Sequence, residues 1–402
     1  MGHEPFGSRL ENSLRARPSR TLFLGLLLAL AGGCQRSSPP PSTVAQPTMP
    51  TDEMQPVETI HRPLPPIPIG DLDDDDERPC GEVPIQHIRA ATTASGRVWV
   101  LDSESHLVSF DAALEHRKAH LTKKVVDLVR RADDGSLWAV VNEENRWRVL
   151  RYDAKGWQHL ADFPERFWTQ DSIGEREGRP VLATRDGETY WFDAAGLVHF
   201  WKYPLEGHYR WVREAGGKTH LASTNDGSMY IARDAGEFGG RLEWIRVGTA
   251  GRPTFQKQVF DGSMTDVIVD PLDRSCVIAS NGLLHANSGD GFIARVCPNN
   301  SAVVLEEKGM ADLNDRRSHV KIDTLPFSKL VTSGNTVYAF GLDQIYAITG
   351  HAKRRIPPPV FTEHCGQSVA RVEGLMLLRL PRLLKEYPYD AIGHAIFAMP
   401  AP

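Results

Sequence analysis

No apolar run in this 402-residue sequence approaches the roughly 20 residues a membrane-spanning helix needs; Leu22 to Ala31 has ten. No stretch carries a strong excess of basic charge either. The net charge is −5, and Arg130-Arg131, Arg316-Arg317 and Lys353-Arg354-Arg355 are scattered and read as solvated faces, so there is no electrostatic case for nucleic acid as a partner. Linear catalytic signatures are missing as well. There is no Gly-x-Ser-x-Gly elbow, no His-Glu-x-x-His helix and no Gly-x-Gly-x-x-Gly turn, and Gly217-Lys218-Thr219 has Val212 where a phosphate loop needs its first glycine. No Cys-x-x-Cys spacing occurs, which argues against a zinc or redox centre. No catalytic residue, metal ligand or cofactor is therefore assigned from sequence.

The N-terminus does carry information. Arg9, Arg15, Arg17 and Arg20 precede the ten-residue apolar run, and Ala31-Gly32-Gly33-Cys34 follows it. Small residues before a cysteine resemble the bacterial lipobox, although that pattern usually has Leu where Ala31 stands. The resemblance implies a signal peptide over 1–33 and a lipidated Cys34, whose acyl chains would anchor the protein to a membrane without spanning it. Gln35 in place of Asp, by the same resemblance, points to the outer membrane of a Gram-negative bacterium, and so to a cell-envelope protein.

From Cys34 to residue 79 the chain reads as a disordered tether. Residues 35–79 hold eleven prolines, no aromatic residue and a net charge of −6, so they cannot bury enough apolar surface to offset their ordering entropy. Asp71, Asp73, Asp75, Glu77 and Glu82 have the spacing of an EF-hand loop. Asp76 stands at the obligatory glycine, Pro79 at the ninth position, and no amphipathic helix flanks the run, so a solvated charge run is the better reading. Four cysteines then remain in an oxidising compartment, where disulfides are the default. Cys276 with Cys297 would flank one hairpin symmetrically, and Cys80 with Cys365 would join the two ends of the folded region.

The folded region, 80–402, is repetitive. Phe110-Asp111, Tyr152-Asp153 and Phe192-Asp193 recur at steps of 42 and 40 residues, with His116, His159 and His199 trailing at similar offsets. A period near forty with several short strands per unit is the signature of a β-propeller, an all-β fold. Second strands are expected at 98–101, 137–141, 181–184, 220–223, 276–280 and 336–340, and third strands at 107–110, 147–152, 189–192, 228–232, 291–296 and 344–348. Asp186-Gly187 and Asp226-Gly227 would fill the turns between them. The widening steps place insertions in or after blades four and five. The tail, through 375–380 and 395–398, would furnish a seventh blade and complete the first.

Asp134-Gly135-Ser136-Leu137-Trp138 followed by Leu150-Arg151-Tyr152-Asp153 resembles the two-component regulator propeller repeat and, more loosely, the repeats of streptogramin-lyase-like propellers. The resemblance implies an extracytoplasmic propeller used for sensing or binding, and transfers no catalytic residue. The repeat histidines read as peripheral and structural. His208, His285, His319 and His351 are candidates by loop position alone. All nine tryptophans fall between Trp99 and Trp244; Trp99, Trp138 and Trp191 are expected between blades, whereas Trp157, Trp168, Trp201 or Trp211 could form a binding platform. The functional expectation is a non-enzymatic binding or scaffold module for a protein or glycan partner. The alternative is a lyase or lactonase-like propeller enzyme with an acid-base or metal site at the channel mouth.

Overall fold

The computed structural model describes residues 77–79, 88–102, 104–143, 146–163, 172–184, 188–192, 198–202, 218–236, 239–248, 253–285, 288–308, 321–322, 324–341, 344–357, 359–364, 367–379 and 396–402. Their strands make seven antiparallel sheets. Blade one is β2 (Ile88–Ala94), β3 (Arg97–Asp102), β4 (Leu107–Phe110) and β5 (His116–His120), with β1 (Glu77–Pro79) added outside β5. Blade two is β6 (Val125–Arg131), β7 (Leu137–Glu143), β8 (Arg146–Asp153) and β9 (Gly156–Phe163). Blade three runs through β10 (Ser172–Arg176), β11 (Arg179–Ala183), β12 (Glu188–Phe192) and β13 (Val198–Lys202), and blade four through β14 (Lys218–Ser223), β15 (Ser228–Asp234), β16 (Gly240–Val247) and β17 (Pro253–Asp261). Blade five is β18 (Met264–Val269), β19 (Val277–His285), β20 (Ser288–Cys297) and β21 (Asn300–Leu305), with β22 (Lys321–Ile322) pairing parallel to β20. Blade six is β23 (Phe327–Ser333), β24 (Thr336–Gly341), β25 (Ile345–Thr349) and β26 (Ala352–Ile356), and blade seven is β27 (Thr362–His364), β28 (Gln367–Val372), β29 (Leu375–Arg379) and β30 (Ile396–Pro400).

The chain is a seven-bladed β-propeller. Strands β2, β6, β10, β14, β18, β23 and β30 each pack on the next, and β30 returns to β2, which closes the ring. Closure removes the sheet edges that would otherwise template association. Blade seven is threaded in reverse: the other six run from the axis outward, whereas this one enters at its rim and ends with β30 innermost. It thus supplies all four of its own strands and gives none to blade one, whose β2–β5 come from the N-terminal side. The expected completion of the first blade by the tail is replaced by face-to-face closure, with Thr93 Oγ1 donating to the Pro400 carbonyl at 2.7 Å.

Stability comes from the seams. Seven separate apolar clusters occupy the seven blade-to-blade interfaces; Trp99, Leu101 and Leu107 meet Leu137, Val141 and Trp157 between blades one and two, and Ile88, Val98 and Val100 meet Met376, Leu378 and Met399 where the ring closes. Second strands are covered on both faces, which is why Val98–Leu101 and Leu137–Val141 are continuous apolar runs and not alternating ones. The outer strand β26 is exposed along Ala352–Arg355.

Two expectations need correction. In blade four the strand at 220–223 is the first, β14, so 228–232 belongs to the second and the third is β16. The short run His220-Leu221-Ala222-Ser223 looks like a second strand because the neighbouring blade covers it. Blade four is accordingly regular, and only Gly262-Ser263 separate it from blade five; the extra length falls in 203–217, before blade four, and in 306–326, after blade five. The folded region also begins earlier than residue 80, because Glu77, Arg78 and Pro79 register with Lys118, Arg117 and His116. The remaining residues of the acidic run, and Cys34, Cys80 and Cys365, lie outside the described residues.

Candidate functional site

The ring of innermost strands has two chemically different ends. At the hairpin end, where the innermost strands of blades one to six turn into the second, one device recurs. Asp134, Asp226 and Asp273 each accept the backbone N–H of the serine two residues on, at 2.9, 3.1 and 3.1 Å, and each also accepts that serine's hydroxyl. Asx turns of this kind free the backbone to reverse direction. Gly135, at φ 80°, takes the left-handed position such a turn needs. Asp226-Gly227-Ser228 thus fills the same place in blade four as Asp134-Gly135-Ser136 in blade two, one strand earlier than the sequence frame assigned it.

These turns are tied together. Asp133 N donates to Glu175 Oε2 at 2.8 Å, Asn225 N donates to the Arg274 carbonyl at 3.0 Å, and the Arg274 guanidinium pairs with Asp133, a chord from blade five to blade two. Below them Arg130 Nη1 reaches the carbonyls of Ile173 at 2.9 Å and Leu221 at 3.3 Å, passing over blade three to blade four. Gly174 permits the crossing: a Cβ there would lie 1.9 Å from Leu221 Cδ2 and 3.4 Å from Arg130 Nη1. Burial lowers the Arg130 pKa against the raising fields of Asp133, Glu175 and Asp266. Arg130 is a cation of the channel, not the solvated surface pair read from sequence.

At the opposite end, four innermost strands begin with a bulge, at Arg89, Asp127, Thr265 and Ser328. Bulges re-aim side chains, and these join neighbouring blades. Arg89 Nη2 donates to the Val126 and Asp127 carbonyls at 2.5 and 2.9 Å, and Thr265 Oγ1 donates to the Phe327 carbonyl at 2.7 Å. Ser172, His220, Asp266 and Lys329 then take equivalent register positions in blades three to six, opposite Ala183, Ala232, Ser280 and Phe340.

Asp266 is the hub. Its Oδ1 lies 3.2 Å from His220 Nδ1 and accepts the Val267 N–H at 2.8 Å, while Oδ2 accepts the Leu330 N–H at 2.9 Å. Burial pushes the carboxyl up, but the charges of His220 and Lys329 and the donated hydrogen bonds outweigh it and hold the pKa below the usual range. Burial lowers the Lys329 amine, with Asp266 opposing and Lys218 reinforcing the shift, and its Nζ lies 5.8 Å from the Phe397 ring centroid in blade seven. Asp127, beside Arg89, is pushed up by burial.

Other expected site residues lie elsewhere. Cys276 and Cys297 form a disulfide across the foot of the β19–β20 hairpin. His116 and His159 sit in outer strands, paired with Asp111 at 2.6 Å and Asp162 at 3.0 Å, while Asp111 and Asp153 cap the turns into those strands through the N–H of Glu115 and Lys155. The repeat's aromatic-Asp-His pattern therefore builds turns. Trp99, Trp138 and Trp191 are buried between blades as expected, but so is Trp157, against Trp99 and Tyr152, which removes it as a binding platform. Trp168, Trp211, His208 and His319 lie outside the described residues. His199, Trp201 and His285 are placed only as strand positions in β13 and β19, and His351 is exposed in the β25–β26 turn. Two groupings of metal-ligating types occur among the described residues; one contains the disulfide, and the other, Asp111, Glu115 and His116, lies on the rim of blade one.

No protein-family model and no curated protein matches the sequence. Solved structures do resemble it. A catalytically inactive virginiamycin B lyase from Staphylococcus aureus, with quinupristin, is 11% identical at a TM-score of 0.44, over 80% of this chain and 97% of that one. A chain of the mitotic checkpoint complex is 12% identical at 0.47, over 85% and 99%. PorZ, a surface component of the type-IX secretion system of Porphyromonas gingivalis, is 12% identical at 0.45, over 81% of this chain and 38% of that one. At these identities the likeness concerns the fold.

Proposed function

We propose that the protein is a lipid-anchored cell-envelope propeller that binds a protein or glycan partner without chemistry of its own. The observation that carries this reading is the state of Asp266. Both oxygens of this carboxylate accept from groups of the fold, the Val267 and Leu330 N–H and His220, so it serves to hold blades four, five and six together. A general base needs a lone pair facing its substrate. The lipobox-like Ala31-Gly32-Gly33-Cys34 and the proline-rich tether support presentation away from a membrane surface.

The mature protein, used as bait in crosslinked envelopes, is expected to recover a specific partner; recovery of none overturns the reading. For the anchor, Cys34→Ala should release the protein to the soluble fraction without detergent, and retention in the membrane would show the anchor to be wrong. Separation of the two membranes by density tests the outer-membrane assignment.

One observation favours a second reading. His220 is oriented by a buried carboxylate through Nδ1, and no partner of its Nε2 is seen among the described residues, which is the arrangement of an acid-base imidazole. A lyase or lactonase-like activity would then reside at this end of the channel. It requires that a lactone panel be turned over by the wild type and not by His220→Gln.

A further inference from the structure

The channel end that holds His220, Asp266 and Lys329 is over-supplied with positive charge. Lys218 and His220 enter from β14 and Lys329 from β23, whereas among the described residues Asp266 is the one carboxylate whose field reaches His220 and Lys329 alike. Arg130, nearer the hairpin end, donates through Nη1 to the Ile173 and Leu221 carbonyls. Asp266 accepts from two backbone N–H groups and His220, and its field reaches Lys329 with no hydrogen bond between the two. Among the described residues Lys329 Nζ has the face of Phe397 for company and no hydrogen bond or ion pair.

An ammonium carries three donors, and with Lys329 half-buried and Lys218 exposed both ammonium groups can present theirs to a ligand. Lys218 repels Lys329. A protein that only needed to fill this position could do so with an apolar residue, as blade two does with Leu128 and blade one with Ala90. Low-dielectric walls concentrate the field of such a cluster on whatever enters.

The geometry points to a binding site for the oxyanion group of a small ligand, a carboxylate or a phosphate, between Lys329, Lys218 and His220 in the channel, with Phe397 as its apolar wall. The anion would give Lys329 the acceptors it lacks, and Lys218 would be relieved of like-charge repulsion by the same group. The Arg274–Asp133 chord and the Arg130 crossing span the hairpin end, so the ligand enters from the end where the bulges lie. The site lies inside the ring and does not depend on the partner reading; capture of a partner neither supports nor removes it.

The test is calorimetric titration of the mature full-length protein in detergent, at low ionic strength, with inorganic phosphate and separately with succinate. At least one should bind saturably at one site, and the arm that binds more tightly tells which oxyanion the site suits. Lys329→Met should weaken that binding at least tenfold, Lys218→Ala several-fold, and Lys329→Arg should retain most of it, with unchanged near-ultraviolet circular dichroism as the check on folding. The charge of succinate is constant above neutral pH, so its affinity reports the protein. It should fall as Lys329 loses its proton, below the usual lysine range, with Asp266, Lys218, His220 and Arg130 as the charged groups facing it. Absence of binding by both anions overturns the site. So does binding that Lys329→Met leaves unchanged, or affinity for succinate that persists through the ordinary lysine range.

Discussion

The two ends of the innermost-strand ring are built from the same seven strands yet hold themselves together differently. At the hairpin end, Asp134, Asp226 and Asp273 satisfy their own turns, and beyond the part-buried Arg130 crossing the blades are tied by the exposed Arg274–Asp133 pair, with side chains 57% and 42% exposed. At the bulged end, the central ties are buried: Asp266 holds three blades through backbone N–H groups and His220, and Thr265 and half-buried Arg89 reach neighbouring carbonyls. Both ends are tied by residues far apart in sequence, but only the hairpin end adds a recurring turn device of its own. Energetic weight should follow burial.

The largest effect is expected at the bulged end. Asp266→Ala strands two buried N–H groups and removes the counter-charge of Lys329, and should cost about 3–5 kcal/mol in urea unfolding, as breaking one side of a buried charge network does. A loss under about 1 kcal/mol would break the comparison. Acid sharpens it. Because the folded Asp266 pKa is depressed, its contribution is full above the unfolded aspartate value of about 3.9 and is lost as pH falls through the lower folded value. Asp266→Asn should therefore flatten the acid limb of Tm against pH.

Next is the disulfide, which pins blade five across a sequence separation of 21 residues. Replacing both Cys276 and Cys297 by serine should cost about 3 kcal/mol in the chain-entropy picture, measured by thermal unfolding under non-reducing conditions. Asp134→Ala takes two hydrogen bonds from one hairpin turn and should cost about 1–2 kcal/mol. The smallest effect is Arg274→Ala, expected below about 1 kcal/mol because both partners are solvated. If Arg274→Ala proved costlier than Asp266→Ala, the assignment of weight to the two ends would be reversed.

Much of the architecture was legible because propeller turns are local. Asp111 and Asp153 cap the turns that follow them, so the aromatic-Asp pair marks a fixed point in each repeat. Asp-x-Ser marks another, and it is the better guide: read as the hairpin turn in Asp134-Gly135-Ser136, Asp226-Gly227-Ser228 and Asp273-Arg274-Ser275, it places blade four correctly, where strand composition alone slipped by one strand. The Cys276–Cys297 pairing was legible for the same reason, since a hairpin brings its two feet together. Trp157 was misjudged because burial between blades depends on the neighbour, Trp99, fifty-eight residues earlier.

The channel was not legible. Arg130, His220, Asp266 and Lys329 come from four blades, each beside residues that look like ordinary strand or surface, and no spacing links them. By itself the sequence determined the repeat, most of its turns and the strand count per blade, all of which depend on residues close along the chain. The direction in which the last blade is threaded, the chord across one mouth and the charged cluster in the other were decided only by tertiary structure. Closing a ring fixes which distant strands meet, and the energy of a buried charge depends on what it meets.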